Sequence, residues 1–316
     1  MSKKNITPPT FTLSLLHPKY WGVWFGFGFL ALLVNILPYS LLLKMGRALG
    51  AMSMKLGKKR VHVATRNLQL SFPDMSADDI ERMVKENFKN TGLALFETGI
   101  TWFWPTWRFK RRIVDGNVDL LKNYDEQGKG VLVCCVHALN LEITARAFAI
   151  LELSGYGVFR PHSNPAYNYI QCWGRTHNGN KIIDRKDVKQ MIRVMRQGER
   201  LFYLPDHDYG RNKSVFVPFF AVSNACTTTG TSILAYTSKC AIVIGSGFRN
   251  TQGYYEIKAD ESIEEHYPKK DDVAAAAYMN KYVEKLILRA PEQWMWLHKR
   301  YKTMEDPAEP KGIRYK

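Results

Sequence analysis

Two side chains with acid–base capacity stand five positions apart near the middle of the chain, His137 and Glu142. An uncharged apolar run, Val131-Leu132-Val133-Cys134-Cys135-Val136, leads straight into the histidine. That run is short enough for a strand buried on both faces. An imidazole can take a proton from an alcohol near neutral pH. A carboxylate on its other nitrogen would hold the ring and stabilise its protonated form. On one continuous helix, positions five apart lie about 140° apart, so the pair would not meet. They meet if His137 lies in the loop after the strand and Glu142 in the first turn of a helix over Ile143–Leu153. The carboxyl end of a parallel strand is where open α/β sheets carry their chemistry. Taken alone, the spacing favours the plainer reading, a loop histidine and a surface glutamate.

Further along the chain, strand and helix signals alternate. Tyr156–Arg160, Lys181–Ile183, Leu201–Leu204 and Ala241–Phe248 read as strands, and Tyr254–Lys258 as an edge strand. Ala166–His177, Val188–Met195, Thr229–Ser238 and Val273–Leu288 read as helices. This predicts an α/β fold, a mostly parallel central sheet flanked by helices. Upstream, Leu41–Leu70 reads as an amphipathic helix weakened by Gly46, Gly50 and Gly57. Ser76 caps a further helix running to about Ile100, with Asp78 and Asp79 in its first turn. No repeat or linker interrupts residues 44–300, so 44–316 reads as one domain. The cluster Trp102, Trp104, Trp107 and Phe109, beside Lys110, Arg111 and Arg112, fits either a bilayer-facing surface or core packing.

Residues 1–19 are polar and carry Pro8, Pro9 and Pro18, so little structure is expected of them. Residues 20–43 contain no charge and hold Trp21, Trp24, Phe25, Phe27 and Phe29. The stretch is long enough for one amino-terminal transmembrane helix, with Tyr20 and Trp21 at one interface and Tyr39 near the other. Asn35 and Pro38 leave room for a kinked helix or one that dips in without crossing. A core helix is the soluble alternative, and a cleavable signal peptide fits poorly. Lys3, Lys4 and Lys19 precede the run; Lys44, Arg47, Lys55, Lys58, Lys59 and Arg60 follow it. That excess predicts a single pass with the large domain on the cytoplasmic side, and the same cations can rest on anionic headgroups.

The formal net charge of +16 calls for an acidic partner: nucleic acid, anionic lipid, a phosphorylated substrate or an acidic carrier protein. Without a zinc-finger, RNP or helix-turn-helix pattern, nucleic acid is set aside. Five cysteines with no C-x2-C pair, two of them adjacent in the apolar run, predict buried free thiols rather than disulfides or zinc ligands. No G-x-S-x-G elbow is present, so a covalent acyl-serine step is not expected.

His137-x4-Glu142 resembles the H-x4-D/E signature of the lysophospholipid, or glycerolipid, acyltransferase superfamily. Gly179–Arg185 resembles its G-x-x-F-I-D-R block, with Ile182 in place of the aromatic. Leu204–Gly210 stands where glycerophosphate-type members carry E-G-T-R. Together with Arg160–Pro165, Ser214–Phe220, Thr227–Thr231 and Pro291–Arg300, it is similar to the late acyltransferases of bacterial lipid A synthesis, lauroyl or palmitoleoyl branch. The resemblance implies an acyl-acyl carrier protein donor and a Kdo-bearing, tetraacyl lipid A precursor as acceptor. It also implies no metal and no other cofactor, an inner-membrane anchor and a cytosolic active site. His137 would be the base and Glu142 its orienting partner. Arg185, and less strongly Arg160, would grip a phosphate or sugar carboxylate with the guanidinium fork. The alternative for Arg185 is a structural pair with Asp184 or Asp187. Asp206, His207 and Asp208 would form a hydrogen-bonded turn, with Asp208 as a substrate contact. Trp294, Trp296, His298, Lys299 and Arg300 would meet headgroups or pack. Two other readings stay open: an acyltransferase of the same superfamily acting on another glycolipid or an aminolipid, and a non-catalytic membrane scaffold binding anionic lipids. Assay of the purified protein separates them.

Overall fold

The computed structural model describes residues 8–316; Lys3 and Lys4, counted above on the near side of the apolar run, lie outside it. Contrary to expectation, residues 11–19 are ordered by packing. Phe11 meets Trp24 and Tyr169 edge-on, and two 3-10 turns, Leu13–Leu16 and Pro18–Tyr20, lead into the first helix.

The apolar run does not form one helix. It divides into α1 (Trp21–Ile36) and α2 (Tyr39–Leu56) because Leu37 precedes a proline and is held extended, at ψ 145°. Pro18–Ile36 is long and apolar enough to cross a bilayer by length and composition alone. Tyr39 and Leu42 of α2 instead belong to the core beneath the sheet. The Leu41–Leu70 helix is likewise two, α2 and α3 (Lys58–Ser71), broken at Gly57. Next comes α4 (Ala77–Phe103), capped by Ser76, whose side chain accepts from the Asp79 amide at 3.1 Å. Gly46 and Gly50 of α2 face Gly92 of α4 with no room for a Cβ on Gly50 or Gly92. These glycines cost helix propensity but let two backbones touch.

The remainder alternates as α5 (Thr106–Lys110), β1 (Ile113–Asp115), α6 (Asp119–Glu126), β2 (Val131–Cys134), α7 (Leu141–Ile150), β3 (Tyr156–Phe159) and α8 (Pro165–Thr176). Then follow β4 (Lys181–Asp184), α9 (Val188–Arg196), β5 (Arg200–Tyr203), β6 (Ser214–Phe219) and β7 (Val222–Thr228). The last elements are α10 (Gly230–Ser238), β8 (Ala241–Arg249), β9 (Tyr255–Ser262) and α11 (Asp272–Ile287). Seven strands form one sheet in the order β1-β9-β8-β2-β5-β3-β4, and every neighbouring pair except β8–β9 is parallel. The mostly parallel sheet expected from the alternation is therefore present. Two details differ. The segment expected at the edge, β9, sits inside because the short β1 pairs along its far side. In addition, β6 and β7 form a separate antiparallel hairpin.

Both faces of β2 are buried. Leu132, Cys134 and Val136 enter one core, with Leu68, Val84, Val194 and Val283; Val131, Val133 and Cys135 enter the other, with Leu42, Ile100, Ile143 and Ala147. A strand covered on both sides needs apolar residues at every position, which is the physical reason for the unbroken run.

Helix α1 has two unlike faces. Inward, Trp24 packs on Tyr169, Phe27 stacks on Trp102, Leu30 and Val34 cover Gly99, and Trp104 donates its indole N–H to the Val34 carbonyl at 2.6 Å. Outward, Trp21, Phe25, Phe29, Leu32 and Ile36 form a stripe of exposed apolar side chains at helical spacing.

Candidate active site

The sheet register assembles the site. Cys134 of β2 lies opposite Tyr203 of β5. Three residues beyond each, His137 and Asp206 therefore emerge side by side from adjacent strand ends. One sheet position over, Phe159 of β3 lies opposite Asp184 of β4, so the next residues, Arg160 and Arg185, are neighbours too. The Arg185 amide donates to the Phe159 carbonyl at 2.9 Å and carries the ladder one step past the strands.

His137 Nδ1 lies 2.7 Å from Asp206 Oδ1, and the His137 amide donates to Asp206 Oδ2 at 2.8 Å. Trp294 donates its indole N–H to the same oxygen at 2.6 Å. An ionised carboxylate only accepts, so Nδ1 carries a proton, and in the neutral ring the free lone pair is then on Nε2. Asp206 is fully buried. Burial by itself would raise its pKa, but electrostatic attraction and the hydrogen bond to the His137 ring, together with the interactions with His207 and the Trp294 indole, outweigh it. The carboxyl is held well below the usual carboxylate range. The segment that supplies Trp294 also brackets the His137 loop: Leu139 N–H bonds Gln293 O at 2.7 Å, and Met295 N–H bonds His137 O at 3.1 Å.

The expected bond between His137 and Glu142 is not formed. Glu142 lies in the first turn of α7, as anticipated, but its carboxylate turns to the neighbouring helices. It accepts from Arg175 Nε of α8 at 2.9 Å and from the Trp102 indole of α4 at 3.1 Å, and forms an ion pair with the Arg175 guanidinium. Asp206 bonds the ring instead, because it follows the strand that pairs with the one ending at the histidine. From the sequence, Asp206 is expected only as part of a turn. The available signal was that both residues stand three positions past a strand end, legible only with the strand order in hand.

Asp208, expected as a substrate contact, is buried and accepts from Thr303 N–H and Oγ1, each at 2.8 Å, and from Gly210 N–H at 2.9 Å. These bonds fasten the carboxyl-terminal segment to the Asp206–Gly210 loop. Neither Asp184 nor Asp187 pairs with Arg185: the first accepts from the Lys186 amide, and the second caps α9 through Gln190 N–H. Among the described residues the Arg160 and Arg185 guanidinium groups have no carboxylate partner. Trp294 and Trp296 are buried, and Arg300, fully buried, donates to the Cys226 carbonyl at 2.7 Å. Of the same block, His298 is half-buried and Lys299 exposed.

His137, Arg160, Arg185 and Lys213 share a cleft of about 430 Å³. Val158, Met191, Ile233 and Leu234 supply its apolar walls. The arrangement brings together an imidazole bonded to a buried carboxylate, three cationic side chains and an apolar lining. Donor atoms of His137, Asp206 and His207 lie within 4.8 Å of one another, a spacing that could hold a metal ion. The two imidazoles, however, are parallel at 3.6 Å, so one ion cannot lie in both ring planes, and both Asp206 oxygens are engaged. The five cysteines are free and buried, and burial raises the Cys134 and Cys135 thiols, so neither is an activated nucleophile.

A family model described as bacterial lipid A biosynthesis acyltransferase matches residues 8–303. The chain is 42% identical over 308 residues to the lipid A biosynthesis lauroyltransferase of Escherichia coli K12, covering 96% of this chain and 97% of that protein. Against the palmitoleoyltransferase of the same strain, identity is 40% over 295 residues, 93% of this chain and 95% of the relative. Against its myristoyltransferase, identity is 26% over 314 residues, 98% and 95% of the two chains.

Proposed function

The chain belongs to the bacterial lipid A biosynthesis acyltransferases and is an acyltransferase. From that premise we propose that it transfers a fatty acyl chain from acyl-acyl carrier protein to a hydroxyl of a Kdo-bearing, tetraacyl lipid A precursor. The observation that carries the reading is the His137–Asp206 pair, with His137 lining a cleft that also holds Arg160, Arg185, Lys213 and several apolar side chains.

His137 Nε2 takes the proton of the acceptor hydroxyl as its oxygen attacks the thioester carbonyl. A carbon–oxygen bond forms, the tetrahedral centre collapses, the carbon–sulfur bond breaks, and the imidazolium returns its proton to the leaving thiolate. No acyl-enzyme intervenes. Asp206 fixes the tautomer and stabilises the transient imidazolium. Arg160 and Arg185 bind a phosphate or sugar carboxylate of the acceptor, since guanidinium groups without carboxylate partners favour bidentate oxyanions. The apolar walls receive the acyl chain. Glu142 serves at one remove, holding α7 beneath the His137 loop through Arg175 and Trp102.

The anchor is the outward stripe of α1, at the inner membrane with residues 44–316 on the cytoplasmic side. The cations that follow the run, Lys44 to Arg60, favour the anionic cytoplasmic leaflet, which supports this side. Inward packing along the whole of α1 supports an anchor held flush against the domain. Anionic lipids and the acidic carrier are the partners that the net charge of +16 favours.

The test is to offer the detergent-purified full chain a tetraacyl, Kdo-bearing acceptor with a mixture of acyl carriers and read the added mass. One acyl increment on the acceptor, absent with His137→Ala, is the expected result. Full transfer by His137→Ala, or none by the wild type to any such acceptor, would overturn the reading.

A further inference from the structure

The chemistry above uses one histidine, yet three are stacked. His207 lies face to face with His137, ring centroids 3.6 Å apart and planes 8° apart. His298 covers His207 in turn, at 4.1 Å and 11°. His207 is buried, and its Nε2 has no hydrogen-bond partner among the described residues; neither has Nδ1 of His298. Leaving such atoms unpaired costs free energy, so the rings are not placed there for their hydrogen bonds.

The His137 ring has a need that the stack meets. Its single ring hydrogen bond, to Asp206, holds the Nδ1 edge alone, and the intrinsic well of a terminal sp³–sp² torsion is broad, so the ring can still rock about that bond. We propose that His207, backed by His298, is a positioning residue: a flat, uncharged plate that fixes the plane of the His137 imidazole and keeps Nε2 aimed into the cleft. The proposal rests on the reading of His137 as the base.

The plate has to stay neutral, since a second imidazolium 3.6 Å from the first would oppose the proton transfer. The groups facing it are consistent with that. Burial, followed by the charges of His137, His298 and Arg300, outweighs the attraction of Asp206 and holds His207 down at about 2. His298, facing Lys302 and His137 on one account and Asp208 and Asp206 on the other, is held at about 4, again chiefly by burial. Tyr209 approaches His207 from the side at 6.4 Å, through a ring that carries no charge at neutral pH. His207 is not among the residues that line the cleft.

The experiment compares His207→Leu, His207→Phe and His298→Leu in the full chain, with kcat and KM for donor and acceptor measured per folded molecule. His207→Leu should lose about 10–100-fold in kcat, the scale of a misaimed catalytic group, with both KM values little changed. His207→Phe, which restores a flat neutral face, should recover most of that loss. His298→Leu should lower kcat in the same sense but less. In ¹⁵N-histidine spectra of the wild type, His207 should remain neutral from pH 8 to pH 5. A folded His207→Leu with wild-type turnover would overturn the proposal, as would a Phe variant as slow as Leu or a His207 protonated at pH 6. If His207→Leu does not fold, the Phe and His298→Leu variants and the spectra decide. Failure of the general-base reading shows separately, as an active His137→Ala.

Discussion

An imidazole held by a buried carboxylate makes sharply unequal demands on the residues around it. His137→Ala should lose about 10²–10⁴-fold in kcat with KM nearly unchanged, because the lost interaction strengthens in the transition state. Asp206→Asn should fall comparably: an amide can present N–H to Nδ1, favours the wrong tautomer and supplies no charge. Both are read per folded molecule by rapid assay of the purified variants. Glu142→Gln should fall less, since it keeps the contact with the Trp102 indole and loses only the charge facing Arg175. A Glu142→Gln slower than Asp206→Asn would show that the carboxylate on α7 acts directly. The stacked histidines also leave a mark on stability. His207 has a depressed folded pKa, so below the ordinary histidine value of 6.5 it binds a proton only when the chain unfolds. Its contribution is thus complete above pH 6.5 and is lost as the pH falls towards its folded value. At pH 5 the loss is about 2 kcal/mol, from 1.5 pH units at about 1.4 kcal/mol each. Thermal unfolding measured from pH 7 to pH 5 should show Tm falling, with a shallower slope for His207→Phe; an equal slope would place the acid sensitivity elsewhere.

At the scale of elements, α1 separates two jobs that a single uncharged run had merged. Phe25→Asp together with Phe29→Asp changes only its outward stripe and should move the protein from the membrane fraction to the soluble one, with Tm little altered. Deleting residues 1–43 should instead unfold the domain, because Val34, Tyr39 and Leu42 are core residues and Trp104 loses its acceptor. Ultracentrifugation after carbonate washing, paired with thermal unfolding, reads both. A double Asp variant that stays wholly membrane-bound would mean that the membrane contact lies on another surface. The division at Leu37-Pro38 was legible in the proline, whereas the burial of Tyr39 and Leu42 was not: an apolar residue reads the same whether lipid or a sheet will cover it.

For the molecule as a whole, charge should govern encounter more than turnover. A chain of net charge +16 meeting an acidic carrier protein gains from long-range attraction, which salt screens over about 8–10 Å at physiological ionic strength. Raising ionic strength should therefore raise the KM for the acyl carrier and leave kcat nearly constant. A KM flat from low to physiological salt would argue against a charged docking surface.

The amino-acid sequence alone determined the α/β alternation, the buried β2 strand, the cap at Ser76, the histidine at the strand end and the family resemblance. Each of these is written in neighbouring residues, as an apolar period, a cap or a motif a few positions long. Which carboxylate holds His137 was decided only by tertiary structure. The H-x4-E spacing joins Glu142 to the histidine along the chain, but sheet order joins Asp206 to it across 69 residues, through the pairing of β2 with β5. The same holds for the adjacency of Arg160 and Arg185, for Asp208 as an anchor and for the stacked histidines. Strand order and register arise from the packing of whole elements against one another, and no local stretch of residues encodes who will stand next to whom.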